Sequence, residues 1–292
     1  MGFIQETIAK NWPELRALIT GGVPAFVTAA RPSPLRGGVA VFCYHLAEPV
    51  SFEEDLRFLA ANAYRTVGAD ELLEYVRNRA TLPEPTVVLT FDDGAVNFYE
   101  TAYPLLRRYN RRCVLFIAPG LHRRSAEETA RERRPCTWEE LKEMADSGLV
   151  DIQSHTWVHR SLDHWPRPLP LAGIDETLAA ARRGRPLSME EDLRRSRAVL
   201  EDRLGKPVRH LAWPRYYTAP AALDLARRAG YRGFWTGTRP RHPLVVPGQD
   251  PAAIVRISGE FTRRLPGSGR RKLLTILLSR YRKALANKWP RR

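Results

Sequence analysis

From residue 39 onward the chain repeats one pattern, short apolar runs separated by longer amphipathic segments. VAVFCYH, TVVLTF, CVLFIA, LVDIQSH, RHLAWP, RGFWTG and AAIVRIS read as strands, and the stretches between them as helices. Phe52, Leu56 and Leu59 share one helical face, as do Tyr99, Tyr103 and Leu106. Thr137 with Glu140, and Ser188 with Glu191, fit the reciprocal capping pattern of helix starts. Gly148, Gly205 and Gly230 stand where helices should stop. Strand and helix alternating in this way predict a parallel sheet covered by helices, either an open doubly wound sheet or a barrel. Both architectures carry their functional loops at the C-terminal ends of the strands.

A chain of 292 residues suits one large α/β domain with extensions. The expected division is an N-terminal extension over 1–38, a core domain over 39–260 and a basic tail over 261–292. Lys and Arg total 47 against 32 acids, a net charge of +15. That balance points to a polyanionic partner, whether nucleic acid, anionic lipid or a charged glycan. Cys43, Cys113 and Cys136 are odd in number and widely spaced, which speaks against a disulfide framework and for a reducing compartment. The run ALITGGVPAFVTAA (17–30) has the flavour of a secretion signal, but Glu6 and Glu14 precede it and Gly21, Gly22 and Pro24 interrupt it. It is also too short to span a bilayer. The expectation is an apolar extension that packs on the domain or lies on a membrane.

Two clusters carry chemistry. In VVLTFDDGAVN (87–97) a strand ends on two adjacent acids, Asp92 and Asp93. Side chains alternate along extended chain, so one site can receive two carboxylates pointing different ways. A turn or helix cap is the plain alternative, and Gly94 fits it. In SHTWVHRSL (154–162), following another strand, His155 and His159 stand four apart, so that one helical turn would bring both imidazoles to one side. Surface or core histidines are the plain alternative there. Two histidines and a carboxylate make three protein ligands and leave a position open, the composition of a catalytic metal site.

In these residues the chain resembles the polysaccharide deacetylase family, also known as the NodB-homology or carbohydrate esterase 4 family. Thr90 to Gly94 match its T-F-D-D-G motif, and His155, Thr156 and His159 its H-[ST]-x-x-H motif. The likeness extends over about residues 39 to 260. It implies an irregular (β/α) barrel of about seven strands with a divalent metal at its C-terminal face, zinc first, cobalt or nickel being compatible with the ligands. By position, Asp93, His155 and His159 would hold the metal, while Asp92 would take a proton from the attacking water. The backbone N–H of Arg215 would face the oxyanion.

The third motif departs from the family's pattern. It reads LAWPRYYTAP, with Ala212 where an arginine often contacts the base, and with Arg215 and Tyr216 in place of an aromatic and a glycine. Trp213 and Tyr216 are candidate stacking surfaces for a sugar, with core packing as the alternative for Trp213. The family's late Leu-x-His is absent, which leaves His45 as the best remaining histidine for a proton donor or substrate contact. His210 and His242 read as bystanders. Residues 163–188 are longer than the family's usual connection and read as a candidate lid.

After Glu260 there is no acid, and RRKLLTILLSRYRKALANKWPRR sets Leu273, Ile276, Leu277, Tyr281 and Leu285 in helical register among nine Lys or Arg. Such a tail suits an anionic membrane surface, or packs its stripe on the barrel. Nucleic acid is disfavoured, because no reading motif accompanies the charge. The expected activity is removal of an N-acetyl group from an amino sugar in a cell-envelope glycan or glycolipid precursor, at the inner face of the membrane. The rivals are a non-catalytic glycan- or lipid-binding module and a deacetylase of a small soluble amide.

Overall fold

The computed structural model describes residues 21–35, 37–123, 134–159, 188–216, 218–238 and 244–286. The candidate lid over 163–188 lies almost wholly outside the described residues, as does His242.

Every run expected to be a strand is one. They are β1 (Ala40–Tyr44), β3 (Thr86–Asp92), β4 (Cys113–Ile117), β5 (Val150–Ser154), β6 (His210–Ala212), β7 (Gly233–Thr236), and the pair β8 (Ile254–Val255) and β9 (Ile257–Ser258). The strands run parallel in the order β8-β7-β6-β5-β4-β3-β1-β9. A two-residue strand, β2 (Arg65–Thr66), which the sequence pattern did not reveal, pairs with the start of β3, while β4 pairs with its end. β8 lies against β7, β9 lies against β1, and Arg256 alone separates them, so the chain itself joins the two ends of the path. The result is a nearly closed barrel whose seventh stave is broken at Arg256.

Alternation along these strands sorts the apolar residues into two layers. Val41, Val88, Val114, Phe116, Ala212, Trp235 and Ile254 cluster inside the barrel. Phe42, Leu89, Phe91, Leu115, Ile152, Leu211 and Phe234 face outward beneath the helices. Those helices are α1 (Pro49–Ala61), α3 (Tyr103–Arg108), α4 (Trp138–Asp146), α5 (Met189–Leu204) and α6 (Pro220–Arg228). α2 (Ala69–Val76) does something else. Its Ala69, Leu72 and Val76 belong to the inner cluster, so it plugs the N-terminal end of the barrel. Both expected capping boxes form, at Thr137 with Glu140 and at Ser188 with Glu191. Gly148, Gly205 and Gly230 take φ of 72°, 65° and 97°, the left-handed turn that ends a helix.

The described part of the N-terminal extension packs on the domain. Phe26 and Val27 are buried, and the Arg264 and Arg270 guanidiniums donate to the carbonyls of Val27 and Phe26 at 2.8 and 2.9 Å. In the tail, α7 (Leu273–Ala286) buries Ile276 against the domain but leaves Leu274 and Leu278 exposed. No helix among the described residues is long and apolar enough to cross a membrane.

Candidate active site

The site forms where β3 and β5 end. Val88, Thr90 and Asp92 point into the barrel, which leaves Asp92 buried at its mouth. Asp93 then adopts φ of 76° and Gly94 one of 66°, a turn that swings the next carboxylate onto the rim, where it is 44% exposed. The two acids therefore occupy one site in two settings.

His155 follows directly on β5. Its N–H continues the ladder by donating to the Ile117 carbonyl at 2.8 Å, and its Nδ1 lies 2.8 Å from the carbonyl oxygen of Ala212. A carbonyl only accepts, so Nδ1 carries the proton and Nε2 presents a lone pair to the site. Burial pushes the His155 pKa down to about 4, against the opposing pull of Asp92, so the ring is neutral at ordinary pH. Residues 155–159 do not form the helical turn expected from the spacing. They form a loop in which Thr156 and His159 take φ of 65° and 52°. The imidazoles still meet, with ring centroids 4.7 Å apart.

Asp93 Oδ1 lies 3.8 Å from His155 Nε2 and 3.3 Å from His159 Nε2. One ligand atom from each of the three residues lies within 4.8 Å of the others. Two donors each ~2.1 Å from a shared ion stand about 3.4 Å apart at a tetrahedral angle. The donor set and its spacing therefore fit a divalent cation such as zinc.

Asp92 belongs to a different set of contacts. The Arg256 guanidinium donates to both of its oxygens, at 2.6 and 3.0 Å, and both side chains are buried. Cys43 approaches the same carboxylate with Sγ 3.5 Å from Oδ2, and Tyr216 donates its hydroxyl to that sulfur at 3.5 Å. Burial, the largest single influence, would raise the Asp92 pKa, but the Arg256 charge and the other groups around the carboxylate together outweigh it and hold the carboxyl well below the usual range. Burial instead raises the Cys43 thiol to about 12, so the sulfur stays protonated. Arg256 lies between the rings of Phe116 and Tyr216, with Cζ 5.3 and 5.2 Å from their centroids.

Arg256 was missed in the sequence. Its signal was present, since it is the only charged residue in AAIVRIS. The arginine absent at Ala212 thus has a counterpart on the stave that closes the barrel, 164 residues from Asp92, the carboxylate it contacts.

The third motif turns sharply. Arg215 and Tyr216 both adopt left-handed φ, 55° and 63°, at a cost of about 1–3 kcal/mol each. The turn lays Tyr216, 37% exposed, over the mouth of the barrel against Arg256 and Cys43, and leaves Arg215 exposed. Trp213 is a correction. It is 1% exposed, packs in the core and offers no face to a sugar. His45 is exposed just beyond β1, whose last residue, Tyr44, pairs with Phe91 immediately ahead of Asp92, which places it near the same mouth. His210 is fully buried far from the acids, in the plug at the other end of the barrel.

A family model described as polysaccharide deacetylase matches residues 79–234. The chain is similar to the poly-beta-1,6-N-acetyl-D-glucosamine N-deacetylase of Escherichia coli (strain K12), at 28% identity over 147 residues, 44% of this chain and 22% of that protein. It is also similar to the protein of that name from Staphylococcus aureus (strain MRSA252), at 24% identity over 206 residues, 70% of this chain and 65% of that one. It therefore spans less than two thirds of the length of either relative. Among solved structures, IcaB from Ammonifex degensii is 27% identical with a TM-score of 0.60, covering 78% of this chain and 95% of that one. The Streptococcus pyogenes deacetylase PplD in complex with acetate, at 21% identity and a TM-score of 0.60 over 84% of this chain and 99% of its own, shares the fold. The matched stretch runs from ahead of β3 into β7 and takes in both acids and both histidines, and by that match the chain belongs to the polysaccharide deacetylase family.

Proposed function

We propose that this protein is a metal-dependent N-deacetylase that removes acetyl groups from an N-acetylated amino sugar of a cell-envelope glycan or glycolipid. The observation that carries this reading is the pairing of a three-donor cluster, Asp93, His155 and His159, with a separate carboxylate, Asp92, which is 3.8 Å from His155 yet held by Arg256. A divalent cation in the cluster would polarise the acetyl carbonyl and acidify the attacking water. Asp92 accepts that water's proton, and Arg256 aims its carboxylate. The N–H of Arg215 would face the developing oxyanion, and Tyr216, over the barrel mouth, would border the sugar. His45, exposed just beyond β1, is the candidate donor of a proton to the leaving nitrogen. The names of the E. coli and S. aureus relatives support a poly-N-acetylglucosamine-like substrate.

The basic tail and the exposed Leu274 and Leu278 support attachment to an anionic membrane surface, and three buried cysteine thiols support its cytoplasmic side. The reading is tested by acetate release from β-1,6-linked N-acetylglucosamine oligomers and from a lipid-linked N-acetylglucosamine. Release that stops with chelation and with Asp92→Asn upholds it. Release that survives both contradicts it, and tight glycan binding without any release would establish the non-catalytic module instead.

A further inference from the structure

The loop that carries His159 is awkward to build. Between Ser154 and His159 the chain takes two left-handed turns at residues with side chains, a conformation such residues disfavour. Its stability comes from one face of α5. Asp192, in the first turn of that helix and 1% exposed, accepts the N–H of Trp157 at 2.8 Å on Oδ1 and the N–H of Val158 at 3.2 Å on Oδ2. One turn along, the Arg195 guanidinium lies 4.5 Å from the centroid of the Trp157 indole. Ser196 lies 2.8 Å from the Ser154 hydroxyl, which in turn accepts the N–H of Thr156 at 3.2 Å. Positions i, i+3 and i+4 of one helix thus grip the loop. On the far side, Gly120 donates to the Trp157 carbonyl at 2.9 Å, and a Cβ there would sit 2.5 Å from that oxygen.

Both N–H groups taken by Asp192 lie between the two histidines. A carboxylate at the N-terminal end of a helix is stabilised by the helix dipole, so it remains an acceptor. We propose that Asp192 is a positioning residue for the metal centre: by fixing Trp157 and Val158 it presents His159 beside Asp93 before any ion arrives. This rests on the reading of Asp93, His155 and His159 as metal ligands.

The test is zinc affinity, measured by chelator competition on metal-stripped protein, with cobalt absorption as a second readout. Wild type, Asp192→Ala, Asp192→Asn and a control, Asp70→Asn at the other end of the barrel, are compared. An asparagine oxygen keeps one of the two N–H partners, so Asp192→Asn carries the comparison if the alanine variant does not fold. The expected result is a roughly 10- to 100-fold loss of affinity with an altered cobalt spectrum, and no change in the control. In a His159→Ala background the Asp192 substitution should have no further effect, since the two act as one unit. A folded Asp192→Asn protein that binds zinc within threefold of wild type overturns the proposal, as does full additivity with His159→Ala. Wild-type protein that binds no metal overturns the ligand reading itself.

Discussion

At Asp92 the controlling fact is that a buried carboxylate is paired, among the described residues, with a single buried guanidinium, that of Arg256. Arg256→Leu leaves that carboxylate buried without its partner, and breaking such a pair costs about 3–5 kcal/mol. The sign of the pH effect follows. With Arg256 present, the Asp92 pKa lies below its unfolded value, so its contribution to stability is in place above the unfolded pKa and is lost as pH falls through the folded one. Without Arg256, burial, already the largest single influence, loses its main opponent and raises the pKa. The acid limb of kcat/KM should therefore move to higher pH in Arg256→Leu, as a rate profile between pH 4 and 9 would show. An unmoved limb would mean that Arg256 does not govern the Asp92 carboxylate. Asp92→Asn should keep zinc bound, since Asp92 is not among the three donors, and lose about 10²- to 10⁴-fold in rate.

The α-helices and loops decide how well the site is held. Thr137→Ala and Ser188→Ala each remove an N-cap acceptor and should cost about 0.5–2 kcal/mol, read as a shift in denaturation midpoint. Ser188 caps the helix whose first turn carries Asp192, so its loss should also weaken metal binding, whereas the Thr137 change should not. At this scale much was legible from residues alone. Seven apolar runs became the staves, both capping boxes formed, and three glycines ended helices, because each of these signals is local. His155 and His159 were legible as partners, but their loop was not, because a helical spacing and a clamped loop bring the same two rings together. What holds that loop is a carboxylate more than thirty residues on in sequence, and no periodicity announces such a contact. Arg256 was hidden for a similar reason. An arginine in a strand reads as a solvent-facing residue until the sheet closes and turns its side chain inward onto an acid from the opposite half of the chain.

Across the whole molecule the two ends of the barrel do different work. The C-terminal mouth carries the acids and histidines, while the N-terminal end is shut by α2 and a polar lock. The Trp235 indole N–H, which can only donate, lies 3.2 Å from His210 Nδ1, so the His210 Nε2–H donates to Asp70 at 3.0 Å. That hydrogen bond, ahead of the Arg209 charge, lowers the Asp70 pKa to about 2. The stability it contributes is present above the unfolded value of ~3.9 and is lost as pH falls toward about 2. Asp70 is 53% exposed, so solvent screening limits the effect to about 1 kcal/mol or less. Asp70→Asn should accordingly reduce the acid dependence of melting between pH 4 and 2 without changing zinc affinity. At the surface, Leu274→Asp with Leu278→Asp should abolish flotation with anionic vesicles, and high salt should weaken it in the parent protein. Flotation unaffected by either would refer the tail's charge to some other partner. The division of labour between the paired acids is tested most directly by acetate release from N-acetylglucosamine oligomers, using Asp92→Asn and wild-type protein loaded with equal zinc. Wild type should turn over and the variant should run at least about 100-fold slower with its metal retained; equal rates, or zinc lost along with the activity, would contradict it.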